Sequence, residues 1–139
     1  MSQANLEWLR TLYDRYAVGE TDPLFERLAD DIEWVSSVSG SPALGTFSGR
    51  FHGPEGVRCY FQGLAQDWRI TKHEMQEMVA DGDCIAVRNS VEAVNRHTGK
   101  KAEVTTRHRL VLRDGKIQRF EEHCDDITPL EAACRATGP

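Results

Sequence analysis

Residues 84–124 read CIAVRNSVEAVNRHTGKKAEVTTRHRLVLRDGKIQRFEEHC. The run is rich in β-branched and alternating apolar residues, and turn chemistry interrupts it twice. One interruption is Arg96–Lys100, which contains Gly99; the other is Arg113-Asp114-Gly115. Strand, turn, strand, turn, strand is the pattern of consecutive hairpins. It predicts strands over Cys84–Asn95, Ala102–Leu112 and Lys116–Cys124. Just upstream, His73–Ala80 runs into the turn Asp81-Gly82-Asp83 and adds a fourth strand.

Before this meander the period changes. Leu6, Leu9, Leu12, Tyr13 and Tyr16 recur at spacings of three and four, which predicts a helix over 5–17 with Gly19 as its stop. Asp22-Pro23 suits a second helix start. Leu24, Phe25, Leu28 and Ala29 are read as its buried side, ended by Asp30-Asp31, and a strand follows over Ile32–Ser36. The Ser- and Gly-rich stretch SVSGSPALGTFSGR, 37–50, reads as a lid or pocket rim. Gly53-Pro54-Glu55-Gly56 opens a third helix carrying Val57, Tyr60, Phe61 and Leu64, and Thr128-Pro129 starts a short last one through Ala136. Helices bunched ahead of an antiparallel meander predict a single α+β domain. Its bent sheet would wrap the helices and leave a cavity at the open end.

Register in the last hairpin decides which residues share a face. A two-residue Asp114-Gly115 loop sets Arg113 opposite Lys116, two like charges. A three-residue loop with Gly115 left-handed pairs Leu112 with Lys116, Val111 with Ile117 and Arg107 with Glu121. Favourable cross-strand pairs contribute roughly 0.2–1 kcal/mol each, so the three-residue loop is the expectation. It places Thr106, His108, Leu110 and Leu112 on the inner face with Gln118, Phe120, Glu122 and Cys124, His108 lying diagonal to Glu122. The outer face would carry Arg107, Arg109, Glu121 and His123 around a Val111–Ile117 patch. An inner His and carboxylate read either as an acid/base pair or as a core histidine beside a rim glutamate.

Composition narrows the function classes. The 139 residues suit one domain. The net charge of −5 speaks against a nucleic-acid partner, since binding to phosphates rests on a basic footprint. No apolar run reaches the roughly 20 residues of a membrane span. The start, MSQANLEWLR, lacks the basic-then-apolar pattern of an export signal, so a cytoplasmic location is expected. Cys59, Cys84, Cys124 and Cys134 show no CxxC spacing and read as reduced, mostly buried side chains. His52, His73, His97, His108 and His123 show no HExxH or HxH spacing, so no metal site is expected. His123 with Asp125 is their nearest approach to a cluster.

Four segments carry a resemblance: LYDRYAVGETDPLFERLADDIEWV, GPEGVRCYFQGL, MVADGDCIAV and HRLVLRDGKIQRFEEHCD. In this order, over about residues 6–134, the chain resembles SnoaL-like members of the nuclear transport factor two-like superfamily, which include ketosteroid isomerases. The resemblance implies a cone: a curved mixed sheet around three helices, with a pocket at the wide end and a homodimer packed sheet against sheet. Family members range from isomerases, cyclases, dehydratases and epoxide hydrolases to binding modules, so the fold alone does not fix a function.

Carried over residue by residue, Ser36 stands where ketosteroid isomerases hold their base Asp, and His108 where they hold a protonated Asp. Their first-helix Tyr falls near Leu12, beside Tyr13 and Tyr16. Arg88 stands where limonene-type epoxide hydrolases hold an Arg, with Ser90 and Glu122 at their two Asp positions. Glu122 and His108 are the nearest match to the Asp and His of SnoaL-type cyclases.

The expected catalytic set is His108, Glu122 and Arg88. Arg88 reads either as a substrate anchor or as a surface ion pair, because its sheet face is ambiguous. Trp34, Ser36, Tyr13, Tyr16 and Phe120 are the candidate substrate contacts; Trp34 reads equally as core, and a helix face of Leu and Tyr such as that of Tyr13 and Tyr16 is more often core. The implied function is cofactor-independent acid/base chemistry on a small apolar cyclic or carbonyl-bearing molecule. The alternative is the same pocket as a non-catalytic binding or dimerisation module.

Overall fold

The computed structural model describes residues 3–37 and 48–135. Most of the expected rim segment, 38–47, lies outside them. Helices α1 (Gln3–Ala17), α2 (Asp22–Glu26) and α3 (Gly53–Asp67) precede the meander, and α4 (Thr128–Cys134) closes it. The strands are β1 (Leu28–Ser37), β2 (Gly49–His52), β3 (Trp68–Asp81), β4 (Cys84–Asn95), β5 (Lys101–Arg113) and β6 (Lys116–Cys124). They form one mixed sheet in the order β2-β1-β6-β5-β4-β3, in which only β1 and β6 run parallel. Each of β1, β3 and β6 breaks register at a bulge, and bulges bend a sheet. The α+β class and the curved sheet folded around helices are therefore as expected.

Two boundaries differ. Leu28 and Ala29 belong to β1, not to the second helix, which ends at Glu26. Leu28 pairs with Ile117, and the Ile117 amide donates to the Arg27 carbonyl at 2.7 Å, so pairing with β6 claims these residues. Strand β2 has no sequence signal of its own. Its Phe51 passes so close to α3 that a Cβ on Gly56 would lie 3.2 Å from the Phe51 main chain.

The last hairpin corrects the expected register. Arg113 faces Lys116 across a two-residue turn in which Asp114 and Gly115 both have positive φ, 54° and 74°. That is the type I′ turn, whose twist matches the strands it joins. The like charges separate: Arg113 is exposed, and Lys116 Nζ donates to the Glu26 carbonyl at 3.2 Å. Leu112 then pairs with Ile117, and the register shift that follows brings Val111 opposite Arg119. Ile117 is fully buried, not part of an outer patch. Burying such a side chain contributes about 1.5–3 kcal/mol, more than the cross-strand pairs that favoured the other register. The extra residue, Gln118, restores the alternation, so Phe120 and Glu122 still face inward.

The outer face of the sheet is charged. Arg107 faces His123 and binds Asp125 at 2.8 Å, and Arg109 faces Glu121. His123 therefore has Glu121 at 3.7 Å, with Asp125 taken by Arg107. The cysteines are free but less buried than expected: Cys59 is exposed and the other three are intermediate. Among the described residues no helix is long and apolar enough to cross a membrane.

The core fills the space between α1, α3 and the concave face. Leu9, Leu12 and Tyr13 of α1 meet Val57 and Tyr60 of α3 over Trp34, Ile85, Val87, Leu110, Ile117 and Phe120. Proline fits the first turn of α3, and the chain turns extended at Trp68, whose buried indole starts β3.

Candidate active site

One row across the sheet carries the polar centre. Ser36 of β1 neighbours Glu122 of β6, which neighbours His108 of β5, and both pairings are direct. His108 and Glu122 are thus opposite each other rather than diagonal. His108 Nε2 lies 3.1 Å from Glu122 Oε2, with side-chain exposures of 6% and 12%. The other carboxylate oxygen accepts from Tyr60 Oη at 2.8 Å and from Ser36 Oγ at 3.2 Å. Burial pushes the Glu122 carboxyl up, but the hydrogen bond and charge of His108 and the Tyr60 hydroxyl outweigh it and hold the group below its ordinary value.

An ionised Glu122 only accepts, so His108 presents Nε2–H to it. Nδ1 is then the accepting nitrogen. The Tyr13 hydroxyl donates to it at 2.6 Å, and the Asn89 amide lies 3.3 Å away. Asn89 also donates to Thr106 Oγ1 at 3.3 Å. The result is a buried chain, Glu122–His108–Tyr13, in which every proton has a direction. Burial, reinforced by the Glu122 charge, raises the Tyr13 and Tyr60 phenols, so both stay protonated donors.

These groups open onto a cavity of about 110 Å³ walled by Leu9, Leu12, Trp34, Phe61, Val91 and Phe120 among others. Trp34 and Phe120 stack with ring centroids 3.8 Å apart, side by side on β1 and β6. Among the described lining residues Glu122 is the single carboxylate, and none is Lys or Arg. The volume is below the roughly 150 Å³ of an apolar cavity that takes benzene, so a ring of that size enters only as the lining gives way. Among the described residues no group of three or more His, Cys, Asp or Glu side chains could hold a metal ion.

The structure brings together seven of the eight residues singled out from the sequence. His108, Glu122, Tyr13, Tyr16, Trp34 and Phe120 line the cavity, and Ser36 stands behind Glu122. Arg88 is the exception and a correction. Val87, Asn89 and Val91 point inward, so the pleat turns Arg88 to the outer face, with Nη2 3.7 Å from Glu77 Oε2.

Three contributors lie outside the expected set. Tyr60 reads from the sequence only as helix core. Asn89 shares the parity of Val87 and Val91, a signal present in the sequence. His73 has no such signal: a register shift between Ile70 and Lys72 turns it inward, where it lines the cavity. The extra residue, Thr71, binds the Glu92 carbonyl and carboxylate across the strand pair, at 3.2 and 2.7 Å.

Known structures share this architecture. An NTF2-like protein of unknown function from Burkholderia pseudomallei K96243 superposes with a TM-score of 0.84 at 20% identity, over 98% of this chain and 100% of that one. TerC, co-crystallised with polyporic acid, gives 0.78 at 21% identity, over 94% and 97%. A hypothetical protein with a ketosteroid isomerase-like fold from Catenulispora acidiphila DSM 44928, in complex with trimethylamine, gives 0.74 at 11% identity, over 94% of each. At these identities the likeness is one of fold. The curated proteins give no match. The model of the SnoaL-like domain family matches residues 9–120, from the first turns of α1 to the Phe120 wall of the cavity. The chain belongs to the SnoaL-like domain family.

Proposed function

We propose that the protein is a cofactor-independent acid/base enzyme acting on a small, largely apolar, cyclic, carbonyl-bearing molecule. The observation that carries this reading is the buried Glu122–His108–Tyr13 chain ending at a small apolar cavity. Both nitrogens of His108 are engaged, so the group that meets a substrate proton is the Tyr13 oxygen. As that oxygen accepts a proton from carbon or oxygen of the substrate, the phenol proton passes to His108 Nδ1. The imidazolium so formed sits against the Glu122 carboxylate, which stabilises it. The reverse transfer returns a proton elsewhere on the substrate and restores the chain, so the net change is an isomerisation, cyclisation or elimination with no redox partner. The polyporic acid and trimethylamine held by two proteins of this fold support a small organic ligand.

Exchange of the α-hydrogens of cyclohexanone in D₂O tests the relay without knowledge of the natural substrate. The wild-type protein should accelerate exchange over buffer, and His108→Gln, which keeps polarity and size, should bring it to the buffer rate. A ketone that binds and exchanges no faster than in buffer would assign the pocket to binding without turnover.

A cytoplasmic homodimer belongs to the same reading, though its basis changes. With Ile117 in the core, the outer face offers ion pairs and the half-buried Val111 in place of an apolar patch. Association through it should weaken with salt. Light scattering at micromolar concentration should give a dimer mass at low salt; a monomer mass there removes this part.

A further inference from the structure

A second hollow adjoins the cavity and takes no part in the proton chain. It lies where the ends of α1 and α3 meet the start of β3, an edge strand of the sheet. Tyr16, Phe61, Leu64, Trp68 and His73 line both spaces, whereas Tyr13, His108 and Glu122 border the cavity alone. The hollow holds about 390 Å³, against about 110 Å³ for the cavity.

Its chemistry is two-sided. Phe61, Leu64 and Ile70 are half-buried and give it an apolar floor. The charged residues around that floor are Arg69, Lys72 and Arg96, and the described lining holds no carboxylate. Burial, helped by His108, keeps His73 at about 4 despite Glu122, so its imidazole adds no charge at neutral pH. In a chain of net charge −5 the hollow is a local exception. The carboxylates nearest in sequence have partners of their own: Glu20 binds Arg15 at 2.9 Å, Asp67 binds His97 at 2.7 Å, and Glu74 lies 3.4 Å from Lys72. Among the described residues Arg69 and Arg96 have no carboxylate at ion-pair distance. Arg96 is also held in place. Its amide donates to the Asp67 carbonyl at 2.8 Å and its Nε to the Trp68 carbonyl at 3.3 Å. These two bonds tie it to the junction of α3 and β3 and leave its Nη groups for a ligand.

We propose that this hollow binds the carboxylate of a small apolar acid, the charge meeting Arg96 and Arg69 and the apolar body resting on Phe61, Leu64 and Ile70. The proposal goes beyond the acid/base reading and does not depend on it, since the two sites share walls but no reacting group. A guanidinium suits a carboxylate because its planar fork offers two parallel hydrogen bonds. A cleft with one sign of charge and apolar walls focuses its field and draws the opposite charge in. A bare inorganic anion would leave the apolar floor uncovered, and a neutral molecule would gain nothing from the two cations. The pairing of floor and charge therefore selects an acid with an apolar body.

The test titrates phenylacetate, phenylacetamide and acetate into the full-length protein at pH 7 and follows binding by ligand-observed NMR. At about 20 mM salt phenylacetate should bind roughly tenfold more tightly than the amide, the low end for a hydrogen bond to a charged group. It should outbind acetate by a similar factor, and raising the salt to about 200 mM should erode its lead over the amide. Arg69→Gln and Arg96→Gln, both at exposed positions, should each reduce that lead, and the double variant should bring it to within about twofold. In ¹⁵N-histidine-labelled protein phenylacetate should shift the ring nitrogens of His73, which borders the hollow, and not those of His52 on the far edge strand. Equal affinities for phenylacetate and its amide, no binding of phenylacetate, acetate binding as tightly, or a wild-type preference kept by the double variant overturns the site. Failure of cyclohexanone exchange with the phenylacetate preference intact would instead fell the catalytic reading and leave this site standing.

Discussion

Glu122→Gln should slow the α-hydrogen exchange of a bound ring ketone by roughly 10²–10⁴-fold, the range typical of a lost acid/base element. The reason is directional. The glutamine side chain keeps the size and can still accept from Tyr60 and Ser36 through its carbonyl oxygen. Its amide then points N–H at His108, so the imidazole must present a lone pair at Nε2 and carry its proton on Nδ1. The Tyr13 hydroxyl can no longer donate there, and the relay is reversed. Glu122→Ala does something different. It leaves the His108, Tyr60 and Ser36 donors facing an empty, buried position and should lower stability by roughly 3–5 kcal/mol, the range for breaking one side of a buried pair. The two readouts separate: exchange kinetics for the amide, denaturant unfolding for the alanine. Since His108 and Glu122 act as a unit, His108→Gln with Glu122→Gln should lose little more than either alone. Exchange within threefold of wild type in Glu122→Gln would sink the relay.

Acid should weaken the fold through His73 well before it reaches the carboxylates. The group lies at about 4 in the folded protein against an ordinary value of 6.5. Its folded value is depressed, so the unfolded chain binds more protons between the two. Its stability contribution is whole above pH 6.5 and is lost as pH falls toward 4. By pH 4.5 the loss should be about 2–3 kcal/mol, since each pH unit crossed between the two values costs about 1.36 kcal/mol. The held-down Glu122 carboxyl keeps its own contribution until pH falls below the ordinary carboxylate range, so it does not confuse this window. Urea unfolding at pH 7 and 4.5 should show the loss in wild type and its near absence in His73→Phe. Parallel falls in both proteins would remove His73 as the cause.

The class of the fold was legible because its signals are local. Leu9, Leu12 and Tyr13 repeat with the helix, Val87, Asn89 and Val91 with the pleat, and Gly-containing turns separate the strands. Most of the site was legible for the same reason, since His108, Phe120 and Glu122 sit at inward positions of strands whose boundaries were clear. What escaped depends on pairing between distant segments. Leu28 and Ala29 read as helix because their strand exists only through β6. The charges of Arg113 and Lys116 argue for one turn, while the quantity that decides it is the burial of Ile117. Arg88 carried chemistry by analogy, yet its neighbours' parity already turned it outward. His73 was hidden outright: alternation from Trp68 and Ile70 would have sent it to solvent, and only the residue inserted at Thr71 reverses that.

That inserted residue also makes this part of β3 tolerant of a change of length. A pleated strand offers each side chain only two directions, and Thr71 is the residue left without a partner on β4. Deleting it would leave Ile70 opposite Ala93, Lys72 opposite Glu92 and His73 opposite Val91 in plain alternation, so His73 would keep its inward place. What a lost codon removes is the bend that the bulge gives the strand, together with the two Thr71 hydrogen bonds to Glu92. Curvature and lining are therefore set separately in this strand: a change of length there reshapes the opening, and a substitution changes what it presents to a ligand.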